Sequence, residues 1–165
     1  MEFFGPIPVI GAMIAGGILM ILVENKFRNK DVIGDVDSII IPQAFIIGCF
    51  QCLSLWPGMS RSASTIMGAW IVGISSVAAA EFSFFLSIPT MLGATALTLF
   101  KAKMALTPIQ IIALIIGFVV AFIVATVVVD RFINFLKKKR MRVFAVYRIC
   151  VGAVLLVLVV MNVLK

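Results

Sequence analysis

Trp56-Pro57-Gly58-Met59-Ser60-Arg61-Ser62-Ala63-Ser64-Thr65 separates two apolar helical runs, residues 43–56 and 63–73. Each run is too short to cross a bilayer, whose hydrocarbon core of roughly 30 Å needs about 20 helical residues. Two short runs meeting at a Pro-Gly break read as a re-entrant helical hairpin that dips into the membrane and returns to the same side. Non-helical backbone at that depth is tolerable only against protein or water, because lipid offers peptide groups no partner.

Outward from this break lie four longer apolar stretches, residues 7–23, 77–100, 108–129 and 143–164. Apolar residues make up 63% of the chain and charged residues 13%, against roughly 45–50% and about 25% in soluble domains. The mean hydropathy is +1.23. A soluble domain of 165 residues could not hide so much apolar surface, so lipid is the solvent. The sequence predicts an all-α polytopic membrane protein. It is a single membrane domain over residues 1–165, with about four transmembrane helices and one re-entrant hairpin at 43–73. Small residues four apart, at Ala79, Ser83 and Ser87 and at Gly117, Ala121 and Ala125, predict close helix packing. Pro89 predicts a kink in the helix over 77–100.

Charge sets the expected orientation. If the hairpin returns to its own side, the 24–38 loop, the 74–76 turn and the 130–142 loop share one face. They carry Lys26, Arg28, Lys30, Arg131, Lys137, Lys138, Lys139, Arg140 and Arg142. The other face holds Lys101, Lys103 and Lys165. The positive-inside rule makes the first face cytoplasmic and points the hairpin tip toward the periplasmic side. The first apolar stretch ends at Glu24-Asn25-Lys26 without a small-residue cleavage site, so it reads as a span and not a signal peptide. The net charge of +7 is concentrated in loops between apolar runs. It fits orientation and lipid headgroups, not nucleic acid, for which no basic-aromatic surface exists. Cys49, Cys52 and Cys150 have no second Cys pair and no histidine to accompany them, so they read as small apolar helix residues.

The chemistry lies at the break. Ser60, Arg61, Ser62, Ser64 and Thr65 cluster where the second arm begins. A helix N-terminus presents free N–H groups and a positive dipole end, and so attracts anions. Ser60 and Ser62 can cap the helix or donate to an anion, and Arg61 supplies a planar fork that matches phosphate. Gly58 permits close backbone approach, and Gln51 is a polar amide within an apolar arm that can line the site. The competing reading, an Arg61 that merely snorkels to water, must explain an arginine near the bilayer centre, where charge costs several kcal/mol. Glu81 is expected in the first turn of its helix, where the dipole favours an acid. Arg148, one turn inside the last span, is expected to snorkel or to pair with Glu81 in a structural role.

The segment from Gln43-Ala44-Phe45 through Thr65 resembles the second signature of the undecaprenyl-diphosphate phosphatases, Pro-Gly-x-Ser-Arg-Ser-x-x-Thr. Glu81-Phe82-Ser83-Phe84 and Val146-Tyr147-Arg148 also look like segments of that family. The resemblance implies a bacterial inner-membrane hydrolase. It would remove the terminal phosphate of undecaprenyl diphosphate, recycling the lipid carrier of cell-wall precursors and conferring bacitracin tolerance. It implies two inverted repeats, each with a re-entrant hairpin, of which this chain is one half. It further implies a divalent cation, Mg2+ or Ca2+, and a diphosphate held by Arg61 with Ser60, Ser62 and Thr65; Gly58, Ser64 and Gln51 join these as candidate substrate contacts from their own place at the break.

One departure stands out. The family's first signature, a Glu-rich segment followed by Pro-x-Ser-Ser and His, is absent. The chain has no histidine, and residues 41–73 contain no acid. No metal ligands are identified, so a second chain or the N-terminal half of the family would have to supply them. Three readings stay open: the phosphate-clamping part of a lipid diphosphatase, a lipid-phosphate transporter with the same clamp, and an inactive remnant.

Overall fold

The computed structural model describes residues 5–27, 33–102 and 107–161. Among them run six helices: α1 Pro6–Phe27, α2 Ile41–Gln51, α3 Arg61–Ile71, α4 Ser76–Ala102, α5 Pro108–Lys138 and α6 Arg142–Val160. There are no strands among the described residues. The helices α1, α4, α5 and α6 are long and apolar enough to span a membrane, as the sequence predicts. The arms α2 and α3 have 11 residues each, about 16 Å at the α-helical rise.

The two arms lie antiparallel. Gln43, at the start of α2, donates through Nε2 to the carbonyl of Val72 at 3.2 Å, while Gly68 of α3 faces Phe50 near the end of α2. The chain entering the hairpin also meets the chain leaving it. Ile33 N donates to Gly73 O at 3.2 Å and Ser75 N donates to Ile33 O at 2.8 Å, an isolated parallel bridge. Both ends of the hairpin therefore lie at one place. The end of α1 reaches the α5–α6 turn, where Glu24 Oε1 accepts from Met141 N at 2.9 Å.

α3 is the inner arm. Ala63 through Trp70 are all buried, against α1, α2 and α4. Its end is pinned by Trp70 Nε1 donating to Ser76 Oγ at 3.1 Å. α2 is the outer arm and turns Ile41 and Phe45 outward, as lipid permits. On the other side of α3, α1 packs against α6. The Gly16-Gly17 pair makes this possible: a β-carbon on Gly17 would lie 2.8 Å from Ile149 Cγ1.

Several expectations are corrected. The first arm begins at Ile41, leaves the α-helix at Gln51 and tightens into a 3-10 turn over Cys52–Leu55. Pro57 disfavours helix in the residue before it, and Trp56 is extended at φ −75° and ψ 124°. The second arm starts at Arg61, two residues early, because Ser60 caps it. Since α4 starts at Ser76, Glu81 falls beyond its first turn. α5 continues past residue 129 to Lys138, with lysines in its last turn, where the dipole favours cations. Ala79 and Ser83 are buried as the small-residue spacing predicts. The stripe at Gly117, Ala121 and Ala125 is exposed, and a β-carbon on Gly117 would meet nothing within 4 Å. Arg28, Lys30, Lys103, Lys165 and the predicted end of the last span lie outside the described residues.

Candidate functional site

The break is a turn built by its sequence. Met59 N donates to Trp56 O at 3.0 Å. Pro57 and Gly58 occupy the two central positions, and Gly58 has φ +94°, the pattern of a type II turn. A side chain at Gly58 would also collide with the backbone carbonyl of Val9 on α1. Glycine is required here twice over, by conformation and by space.

Ser60 follows as the N-cap of α3, its Oγ accepting from Ala63 N at 3.3 Å. That satisfies one of the first N–H groups of the helix, while those of Arg61 and Ser62 have no carbonyl one turn back to bond. Ser60 Oγ lies 3.3 Å from Ser62 Oγ. The Ser62 side chain is exposed. Ser64 and Thr65 are turned inward: Ser64 donates to Ser60 O at 2.9 Å, and Thr65 lies 2.8 Å from Ser83 Oγ on α4. Their hydroxyls are engaged within the fold, so they brace the tip from beneath.

Arg61 is half-buried. Its Nη1 donates to Thr90 Oγ1 at 3.2 Å, and Thr90 follows Pro89 within α4. Pro89 has no N–H for the carbonyl of Phe85, one turn back. The guanidinium is tethered at one nitrogen and keeps its other donors.

A second guanidinium arrives from α6. Arg148 Nη2 donates to Gly58 O at 2.8 Å, and its Nη1 is buried with no hydrogen-bond partner. Arg148 therefore neither snorkels nor pairs with Glu81. The Gly16-Gly17 pair leaves room for it, since a β-carbon on Gly16 would stand 3.2 Å from Nη2. Gln51 Oε1, at the end of α2, is likewise buried without a partner. Glu81 belongs to a separate cleft between α4 and α5, which Asp130 also lines.

The tip thus combines the first N–H groups of a helix that its Ser60 cap leaves unbonded, two hydroxyls and two partly committed guanidinium groups. That set suits a polyanion such as a diphosphate. It does not suit a divalent cation. Residues 41–73 carry no acid, and no group of three His, Cys, Asp or Glu side chains gathers among the described residues. The three cysteines are free and exposed.

Residues 1–154 match the family described as bacitracin resistance protein BacA. The chain belongs to this family. It is 61% identical over 155 residues to undecaprenyl-diphosphatase 2 of Clostridium acetobutylicum, covering 94% of this chain and 50% of that protein. It is 58% identical over 165 residues to undecaprenyl-diphosphatase of Clostridium novyi, covering 99% and 58%. It is 47% identical over 164 residues to that of Caldanaerobacter subterraneus subsp. tengcongensis, covering 99% and 60%. The chain spans 50% to 60% of the length of these BacA relatives.

Sequence reasoning placed Ser60, Arg61 and Ser62 at the tip and gave Arg148 a structural role, and it passed over Thr90 and Glu24. An arginine within a span is functional by default, and that signal singles out Arg148 without a structure.

Proposed function

We propose that this protein is the phosphate-clamping part of an undecaprenyl diphosphatase, holding the diphosphate head of the lipid carrier at the tip of a re-entrant hairpin. One observation carries the reading. Arg148 Nη1 is buried without a partner beside the turn that ends in the N-terminus of α3. A buried guanidinium nitrogen with nothing to bond is costly unless an anion is its intended partner. Arg61, with Ser60, Ser62 and the first N–H groups of α3, would hold the same head group. Gly58 shapes the turn, while Thr65 and Ser64 brace it, and Gln51 offers its amide to the site. Phosphoryl transfer depends on positioning and on neutralising charge on the transferred group. These are the tasks that two arginines and a helix terminus can perform.

Hydrolysis also needs groups to activate water and to hold the family's divalent cation, and the described residues supply neither. Those groups come from a Glu- and His-bearing partner segment of the family type. The hairpin enters from the cytoplasmic face of the bacterial inner membrane, beside Lys137, Lys138 and Lys139, and its tip opens toward the periplasm. The meeting of the hairpin's two ends at Ile33 and Ile74 supports re-entry. The test is phosphate release from undecaprenyl diphosphate by membranes containing this chain, with and without the N-terminal half of a BacA relative. Turnover only with that half, lost with Arg61→Ala, is expected. Lipid translocation without phosphate release would favour the transporter reading.

A further inference from the structure

We infer that the groove between α3, α4 and α5 receives the first isoprenoid units of the lipid whose diphosphate the tip holds. This rests on the phosphate-clamp reading. The groove encloses about 240 Å3 and is lined by Ser62, Ile66, Ser83, Phe84, Val128 and Phe132, among others. Its position is the first argument. Ser62 belongs both to the groove and to the tip, 3.3 Å from Ser60, so a chain leaving the head group at Ser62 enters the groove directly.

Its chemistry is the second. Beyond Ser62 and Ser83 the lining is apolar, and Phe84 and Phe132 meet edge to face with centroids 5.9 Å apart. A hydroxyl-bearing mouth opening onto an apolar, aromatic wall matches a molecule that is anionic at one end and branched hydrocarbon at the other. The size is the third argument. Pockets for whole small molecules run about 300–1,000 Å3, so this groove takes the stem and leaves the rest of the chain to lipid. In a bilayer the stem gains nothing by leaving water, and the groove selects by shape.

Detergent-solubilised protein can be titrated with inorganic diphosphate and with farnesyl diphosphate. Val128 is 57% exposed, so Val128→Trp can fill the groove without disturbing the core. Val124→Trp, one turn earlier and outside the groove, controls for bulk on the lipid face. The wild type should bind farnesyl diphosphate about tenfold or more tighter than inorganic diphosphate, the margin typical of a shape-matched apolar contact. Val128→Trp should erase that margin and leave inorganic diphosphate affinity unchanged, while Val124→Trp keeps it. A photoreactive farnesyl diphosphate analogue gives an independent readout, with adducts expected between residues 128 and 132. A margin that survives Val128→Trp, equal losses in both variants, or adducts on α1 instead would overturn the inference alone. Failure of the wild type to bind inorganic diphosphate would overturn the clamp reading, and this inference with it.

Discussion

Arg148 and Gly58, 90 positions apart, meet through a 2.8 Å hydrogen bond from Nη2 to the glycine carbonyl. The bond ties α6 to the one turn in the hairpin whose backbone has no helical partners. It also fixes the guanidinium so that its second terminal nitrogen is buried beside the tip. Arg148→Lys can keep a bond to Gly58 but not the planar fork. We expect it to retain most of the thermal stability and to lose about tenfold or more in diphosphate affinity, one charged hydrogen bond's share. Thermal unfolding and ligand titration on the same preparation separate these effects. A lysine variant with full affinity would make Arg148 a purely structural tether.

Gly58 should tolerate nothing larger. Its φ of +94° disfavours L side chains by about 1–2 kcal/mol, and a β-carbon would strike Val9 as well. Gly58→Ala is expected to lower the melting temperature and abolish diphosphate binding together. Gly93→Ala, where a β-carbon meets nothing within 4 Å, should leave both intact. Normal binding by Gly58→Ala would show that the turn is not part of the clamp.

Glu24 makes the opposite separation. It is 2% exposed and accepts from Met141 N at 2.9 Å, joining the end of α1 to the start of α6. Glu24→Ala removes that acceptor and should cost about 1–3 kcal/mol of stability. Diphosphate affinity, measured below the melting transition, should change little. Glu24→Gln keeps an acceptor and should fall between. A large affinity loss in Glu24→Gln with unchanged stability would place Glu24 in the site.

Orientation is open to direct labelling. Single cysteines at Lys101 and Lys138, in a background without the native three, can be treated with an impermeant thiol reagent in intact cells. Labelling at 101 and not at 138 is expected from the loop charges. The reverse pattern would invert the protein in the membrane.

The spans and the broken hairpin were legible because lipid imposes length and apolarity directly on sequence. The tip was legible through Pro57-Gly58 and the hydroxyl cluster, which signal a turn and a helix start by local chemistry alone. Arg148 was legible as a charge inside a span but its role was not, because its partner is the backbone carbonyl of Gly58 in the hairpin turn, and carbonyls leave no mark in sequence. Thr65 and Ser64 read as site hydroxyls, yet Thr65 lies against Ser83 and Ser64 bonds back to Ser60 O. Which side of α3 faces inward depends on the helices packed around it. The stripe at Gly117 shows the limit of spacing as a signal: the same small-residue pattern is buried at Ala79 and bare on α5.

The central claim is that Arg61 and Arg148 act together on one diphosphate. It is tested most directly by titrating inorganic diphosphate against wild type, Arg61→Ala, Arg148→Ala and the double variant. Each single change should weaken binding by about ten- to a hundredfold, from charged hydrogen bonds of about 1.5–3 kcal/mol. The double variant should lose less than the sum, because groups sharing one ligand couple. Equal affinities across all four proteins would contradict the clamp.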